Sequence, residues 1–192
     1  MTLLEPPQDQ MDDATLQALA KQRMKIDDAA AGPLLAAYKK AHSSNVEAWL
    51  ALDSDRFMRI NSIRQAEAKA ARSAAPVYMY LFTWRTPVLG GRLRSAHALE
   101  IPFVFDHPDD WPGFTGTGDD RYPLADKMSG AWAEFARTGK PGDPNLPDWP
   151  AYTTERRATM IFDNMCQVVD DPEGGDRLAY LASGGGSVSM FE

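Results

Sequence analysis

A chain of 192 residues with a formal net charge of −7 is long enough for one core of ordinary size, or for part of a larger one, and is a poor partner for nucleic acid or an anionic membrane. Its 44% hydrophobic content contains no uninterrupted apolar run of membrane length, and its single cysteine, Cys166, excludes an internal disulfide framework. The opening MTLLEPPQDQMDD lacks the positive start and long apolar segment of a secretory signal, so a cytoplasmic location is expected.

Residues 1–12 read as an irregular opening around Pro6 and Pro7. From Asp13 the spacing Leu16, Leu19, Ala20, Met24 predicts a helix, with Asp12 or Asp13 as its cap. Gly32-Pro33 is expected to end that element and start a second helix with Leu34, Ala37, Tyr38 and Ala41 on one face. After a turn at His42-Ser43-Ser44-Asn45, Asn45 can cap a short helix carrying Val46, Trp49 and Leu50, and Asp53 a longer one carrying Phe57, Ile60, Ile63 and Ala71. The outer face of this last helix, Arg56, Arg64, Glu67, Lys69 and Arg72, reads as solvated. Val77 to Phe82, six apolar residues rich in Val, Tyr and Phe, predicts a buried strand.

Past the strand, a Gly90-Gly91 loop delivers His97 and leads into the apolar run Ile101 to Phe105. Asp106 to Asp120 reads as a long surface loop. A helix follows, with Pro123 near its first turn, the stripe Leu124, Met128, Trp132 and Phe135, and a stop at Gly139 and Pro141. Leu146 to Tyr152 is a connector, and Ala158–Phe162 with Gln167–Val169 predicts a small hairpin. Residues 183–192, with Gly184-Gly185-Gly186, are expected to be a disordered tail. No repeat or domain boundary is visible, so residues 1–192 are read as one segment. A six-residue apolar strand wants neighbours on both edges, which a weak hairpin does not supply, and this points to an incomplete sheet.

His97 lies where a rigid scaffold presents a reactive side chain, just past a strand end, and is the candidate general base. An imidazole works as a base only with a hydroxyl to deprotonate and a carboxylate to hold its tautomer. The Gly-x-Ser-x-Gly turn that exposes a serine nucleophile is absent. Ser95 and Ser129 lack that context and read as ordinary loop and helix residues. Cys166 has no basic neighbour to lower its pKa and reads as a buried structural thiol. His42, His97 and His107 have no metal-ligand spacing, and Asp53-Ser54-Asp55 lacks the rest of a calcium loop, so no metal site is expected. The acidic group Asp106, Asp109, Asp110, Asp119 and Asp120 reads as solvated loop. The spaced glycines of Gly113 to Gly118 follow no strand and have no lysine, which argues against a phosphate cradle.

Four blocks nevertheless occur in the order found in one family. Pro76 to Phe82 is similar to the last long core strand of type-B carboxylesterases, and Ser95 to Phe105 resembles their histidine block, with Glu100 three residues past His97. Trp132 to Pro141 resembles their C-terminal helix and stop; Trp149 to Tyr152 with Thr159 to Asp163 resembles their closing strands. The chain is thus identified as similar to the C-terminal part of this serine esterase family. The resemblance implies an α/β class: part of an α/β-hydrolase fold with helices, one long core strand, a histidine loop, a C-terminal helix and a terminal hairpin.

The resemblance also implies that His97 is the triad histidine of a carboxylic ester hydrolase that uses no metal or organic cofactor, and that Glu100 is a hydrogen-bonding residue rather than the triad acid. The serine, the acid and the oxyanion hole of such an enzyme belong to an N-terminal part. The chain is therefore expected to be inactive alone. Its expected partners are a small-molecule ester, in the complete enzyme, and an N-terminal esterase chain. Two other readings stay open: a non-catalytic interaction module, and a thiol enzyme using Cys166 with His97.

Overall fold

The computed structural model describes residues 11–72 and 74–184. In chain order these form helices α1 (Asp13–Met24), α2 (Asp28–Ala41) and α3 (Asn45–Ser54), a π-helical turn (Asp55–Arg59) and α4 (Ile60–Arg72). Strand β1 (Met79–Phe82) and a short 3-10 turn (Val88–Gly91) follow, then α5 (Ile101–Val104), α6 (Pro112–Thr115) and α7 (Arg121–Thr138). The chain closes with β2 (Ala158–Phe162), β3 (Gln167–Asp170) and α8 (Gly174–Ala182). Two compact units result, residues 11–65 with 173–184, and residues 66–172.

In the first unit, side-chain caps set the helix starts. Asp12 accepts from Thr15 N at 2.8 Å, Asp27 from Ala30 N at 3.0 Å and Ser44 from Glu47 N at 3.2 Å, each satisfying a backbone donor that the first turn leaves over. Three boundaries differ from expectation, the first being that Ser44 and not Asn45 caps α3. Gly32-Pro33 lies inside α2 instead of starting it, because the chain turns earlier, at Lys25 (φ 54) and Asp27. Glycine before proline lets the helix run on, since the usual clash of the proline ring with the preceding Cβ is missing. Nor does Asp53 cap a new helix; α3 continues through the π-helical turn into α4. Leu16, Leu34, Tyr38, Leu52, Ile60 and Tyr180 form the core. Tyr180 comes from α8, a helix with no counterpart in the sequence expectations.

The π-helical turn carries a buried ionic network that reverses the expectation of a solvated face. Asp55 accepts from the Tyr38 hydroxyl at 2.5 Å and from Arg59 Nη1 at 2.6 Å. Arg56 is buried against Asp53 at 2.9 Å, and His42 Nε2 lies 2.7 Å from Asp176 Oδ2.

The second unit is built on a three-stranded sheet in the order β1-β2-β3. β1 runs parallel to β2 with Met79 opposite Thr159 and Phe82 opposite Phe162; β3 pairs antiparallel with β2, as the expected hairpin requires. The most deeply buried strand is therefore β2, whose five residues are all buried, while β1 is half-exposed at the sheet edge. Trp84, Phe103, Leu124, Met128, Met160 and Phe162 fill the core beneath, with Trp84 and Phe103 ring centroids 5.0 Å apart. Glu67 of α4 is tied to Arg157, 2.9 Å from Nη2 to Oε1, and is half-buried where the sequence reads a solvated face.

Helix α7 ends as the sequence predicts. Gly139, at φ 79, closes it by donating to Phe135 O at 2.8 Å. A Cβ there meets nothing within 4 Å, so Gly139→Ala carries only the left-handed backbone cost. Urea unfolding is expected to show a loss of about 1–2 kcal/mol; an unchanged midpoint would contradict the cap. The tail from residue 185 lies outside the described residues, while Ser183 and Gly184 complete the turn after α8.

Candidate functional site

His97 sits on the connection between β1 and α5, and its side chain is exposed. The loop that carries it is fixed from several sides. Trp84, 1% exposed just past β1, donates its indole Nε1 to Asp120 at 2.9 Å, immediately before α7. The Ser95 hydroxyl donates to Trp84 O at 2.6 Å, and Thr86 N to Arg94 O at 3.3 Å, so both strands of the loop are cross-tied. Beyond the histidine, Leu99 N donates to Ala96 O at 3.1 Å, and Leu99 and Phe103 are fully buried. Between these anchors the backbone is strained: Leu89, Arg94 and Ala98 have φ of 53, 52 and 69. Side chains other than glycine adopt this region at a cost of about 1–3 kcal/mol each and keep it only where surrounding structure enforces it.

Glu100 is half-buried, and its carbonyl accepts from Phe103 N and Val104 N at 3.0 Å each, forming the first turn of α5. Burial pushes the Tyr80 phenol up, and the Glu100 carboxylate adds to that shift. The remaining candidates are held in structural roles. Ser95 is committed to Trp84, and the Ser129 hydroxyl donates to Asp126 O at 3.2 Å within α7. His42 belongs to the first unit, paired with Asp176. His107 donates its backbone N–H to Pro102 O at 2.8 Å. Among the described residues no group of three or more His, Cys, Asp or Glu could hold a metal ion.

Cys166 is half-buried and donates from Sγ to Asp163 O at 3.3 Å. Burial pushes its thiol up, which lowers the reactive thiolate fraction at neutral pH. Alkylation by iodoacetamide is expected to be slower than for a free cysteine at pH 7.5 and to accelerate above pH 9. Fast alkylation at neutral pH would favour the thiol-enzyme reading, which also requires activity to be lost in Cys166→Ser.

The acidic loop carries structure that composition did not reveal. Asp120 holds Trp84, and Asp109 holds both Arg121 and Tyr122, so neither is merely solvated. Trp84 anchors the histidine loop through Ser95, while the buried Thr115 and Arg121 tie the Pro108–Gly118 segment together; only the polar-aromatic contrast of Trp84 beside Thr83 and Arg85 points to the first of these from sequence.

A sequence profile described as the carboxylesterase family matches residues 5–176. The chain belongs to the carboxylesterase family. This carboxylesterase segment is 36% identical over 122 residues to the para-nitrobenzyl esterase of Bacillus subtilis, covering 62% of the chain and 24% of that protein. It is 32% identical over 102 residues to the phenmedipham hydrolase of Pseudarthrobacter oxydans, covering 51% of the chain and 20% of that protein. The structure resembles a carboxylesterase of Geobacillus stearothermophilus with a TM-score of 0.71 and 34% identity, over 88% of the chain and 35% of that structure. The chain thus spans about a quarter of the first curated relative and about a third of the solved structure. The expected partial α/β-hydrolase fold, helix-rich with an incomplete sheet, is what this carboxylesterase segment has. No helix among its described residues is long and apolar enough to cross a membrane.

Proposed function

We propose that the chain supplies the triad histidine, His97, to a carboxylic ester hydrolase whose serine, acid and oxyanion hole lie on another polypeptide segment. The observation that carries this reading is an exposed imidazole on a loop tied to the end of β1 by Trp84, Ser95 and Asp120, in a chain without Gly-x-Ser-x-Gly. An anchored loop keeps an imidazole in one place, which general base catalysis requires. In the complete site His97 takes the proton from the serine hydroxyl as it attacks the ester carbonyl. It then gives that proton to the leaving alcohol, and afterwards activates water against the acyl-enzyme.

Two features support docking of the missing part beside β1. β1 is an edge strand with half-exposed side chains, and edge strands accept further pairing. Tyr78, Tyr80, Trp132, Phe135 and Trp149 line a groove of about 220 Å³ next to it. The same features favour a second reading, a non-catalytic module that docks on another chain by this edge. Assay of the purified chain with an activated ester tests the proposal: no turnover sensitive to a serine reagent is expected, and such turnover, abolished by His97→Ala, would show that the chain holds its own nucleophile.

A further inference from the structure

We infer that Arg121, at the start of α7, is a positioning residue for His97, acting through the Pro108–Gly116 loop and Pro87; the inference rests on the reading of His97 as the triad base. Arg121 is an arginine only 2% exposed, and its guanidinium gathers one loop onto itself. Nε donates to Gly118 O at 2.7 Å, Nη1 to Pro108 O at 2.9 Å and Nη2 to Asp109 Oδ1 at 2.9 Å. Inside that loop the buried Thr115 hydroxyl reaches Pro108 O at 2.7 Å. Both ends of the segment are thereby fixed to one planar fork, whose donor directions a lysine cannot reproduce.

The fixed loop presses Gly116 on the histidine loop. Gly116 has φ 75 and ψ −160, and a Cβ built on it would lie 2.7 Å from Pro87 Cγ and 3.2 Å from Pro87 Cδ. Only a residue without a side chain permits this approach. Pro87 in turn starts the 3-10 turn: its carbonyl accepts from Gly91 N at 3.1 Å, and the turn feeds directly into the Thr86–Arg94 tie. The neighbouring Asp120 holds Trp84, which holds Ser95, two residues before His97. The start of α7 therefore holds the His97 loop by two routes, an apolar contact through Gly116 and a hydrogen-bonded path through Trp84. Its carboxylate is used outward, since Asp120 makes no side-chain cap to its own helix.

The chain has three histidines, so imidazole Cε1–Hε1 signals report on His42, His97 and His107 separately. Arg121→Lys and Gly116→Ala are each expected to move the His97 signal by more than its line width while leaving that of His42 in place. Adding Pro87→Ala to Gly116→Ala should bring the His97 signal part of the way back, which a general loss of stability would not do. In an esterase reconstituted with the missing segment, both single variants should lower kcat up to about a hundredfold with KM little changed. A His97 signal that stays put in folded Gly116→Ala, or that moves only together with His42, would overturn the inference. If either substitution prevents folding, Pro87→Ala, which only removes atoms from the contact, decides on the same signal. An inactive reconstituted esterase would count against His97 as the base and leave the positional link standing.

Discussion

In an esterase reconstituted from this chain and a segment carrying Gly-x-Ser-x-Gly, His97→Ala is expected to lower kcat by about 10⁶-fold while KM changes little. On the proposed reading the imidazole moves protons only as bonds change, so its loss falls on the transition state and not on ground-state binding. The fold should survive the substitution. The side chain is exposed, and the ties that shape the loop, Trp84 to Asp120, Ser95 to Trp84 and Thr86 to Arg94, do not pass through the ring. Steady-state kinetics of the variant check this. A loss of less than tenfold would assign the proton transfers to another group.

The second large effect concerns stability of the first unit. Arg59→Met is expected to cost about 3–5 kcal/mol in equilibrium unfolding, the range for leaving a buried partner charge uncompensated. Asp55 is the charge left behind, with its side chain 2% exposed, and Arg59 Nη1 is 2.6 Å from it. Tyr38 cannot take over the role of the cation. Burial and the nearby Asp55 push its phenol far up, so it stays protonated and donates a single hydrogen bond. Arg156→Met is the internal comparison, because this pair is exposed on both sides and solvent screening leaves it little effect on stability. Equal losses for the two variants would contradict the account of the network.

Most helices could be read from periodicity and caps, and the terminal hairpin from its two short apolar runs, because those signals are local. Gly32-Pro33 misled for the same reason: its local signal is a boundary, yet the boundary is made by Lys25 and Asp27, and a glycine before the proline removes the clash that would stop a helix. Helix α8 was not legible, since its burial rests on Tyr180 reaching a core built by residues far away in sequence. The same holds for the sheet. Ala158 to Phe162 looked like half of a weak hairpin, and only its parallel pairing with Met79 to Phe82 makes it the buried strand. The proposed role of His97 was readable from the ordered blocks around it. Its supports were not, because Asp120 reads as solvated loop and Arg121 gives no signal until Trp84 and Pro108 are seen bonded to them.

Co-expression of the 192-residue chain with a carboxylesterase segment carrying Gly-x-Ser-x-Gly tests the central claim most directly. Ester hydrolysis that appears only when both polypeptides are present, is blocked by a serine reagent and disappears in His97→Ala is the predicted result. Hydrolysis that is undiminished by His97→Ala, or a complex that forms and stays inactive with both segments intact, would contradict it.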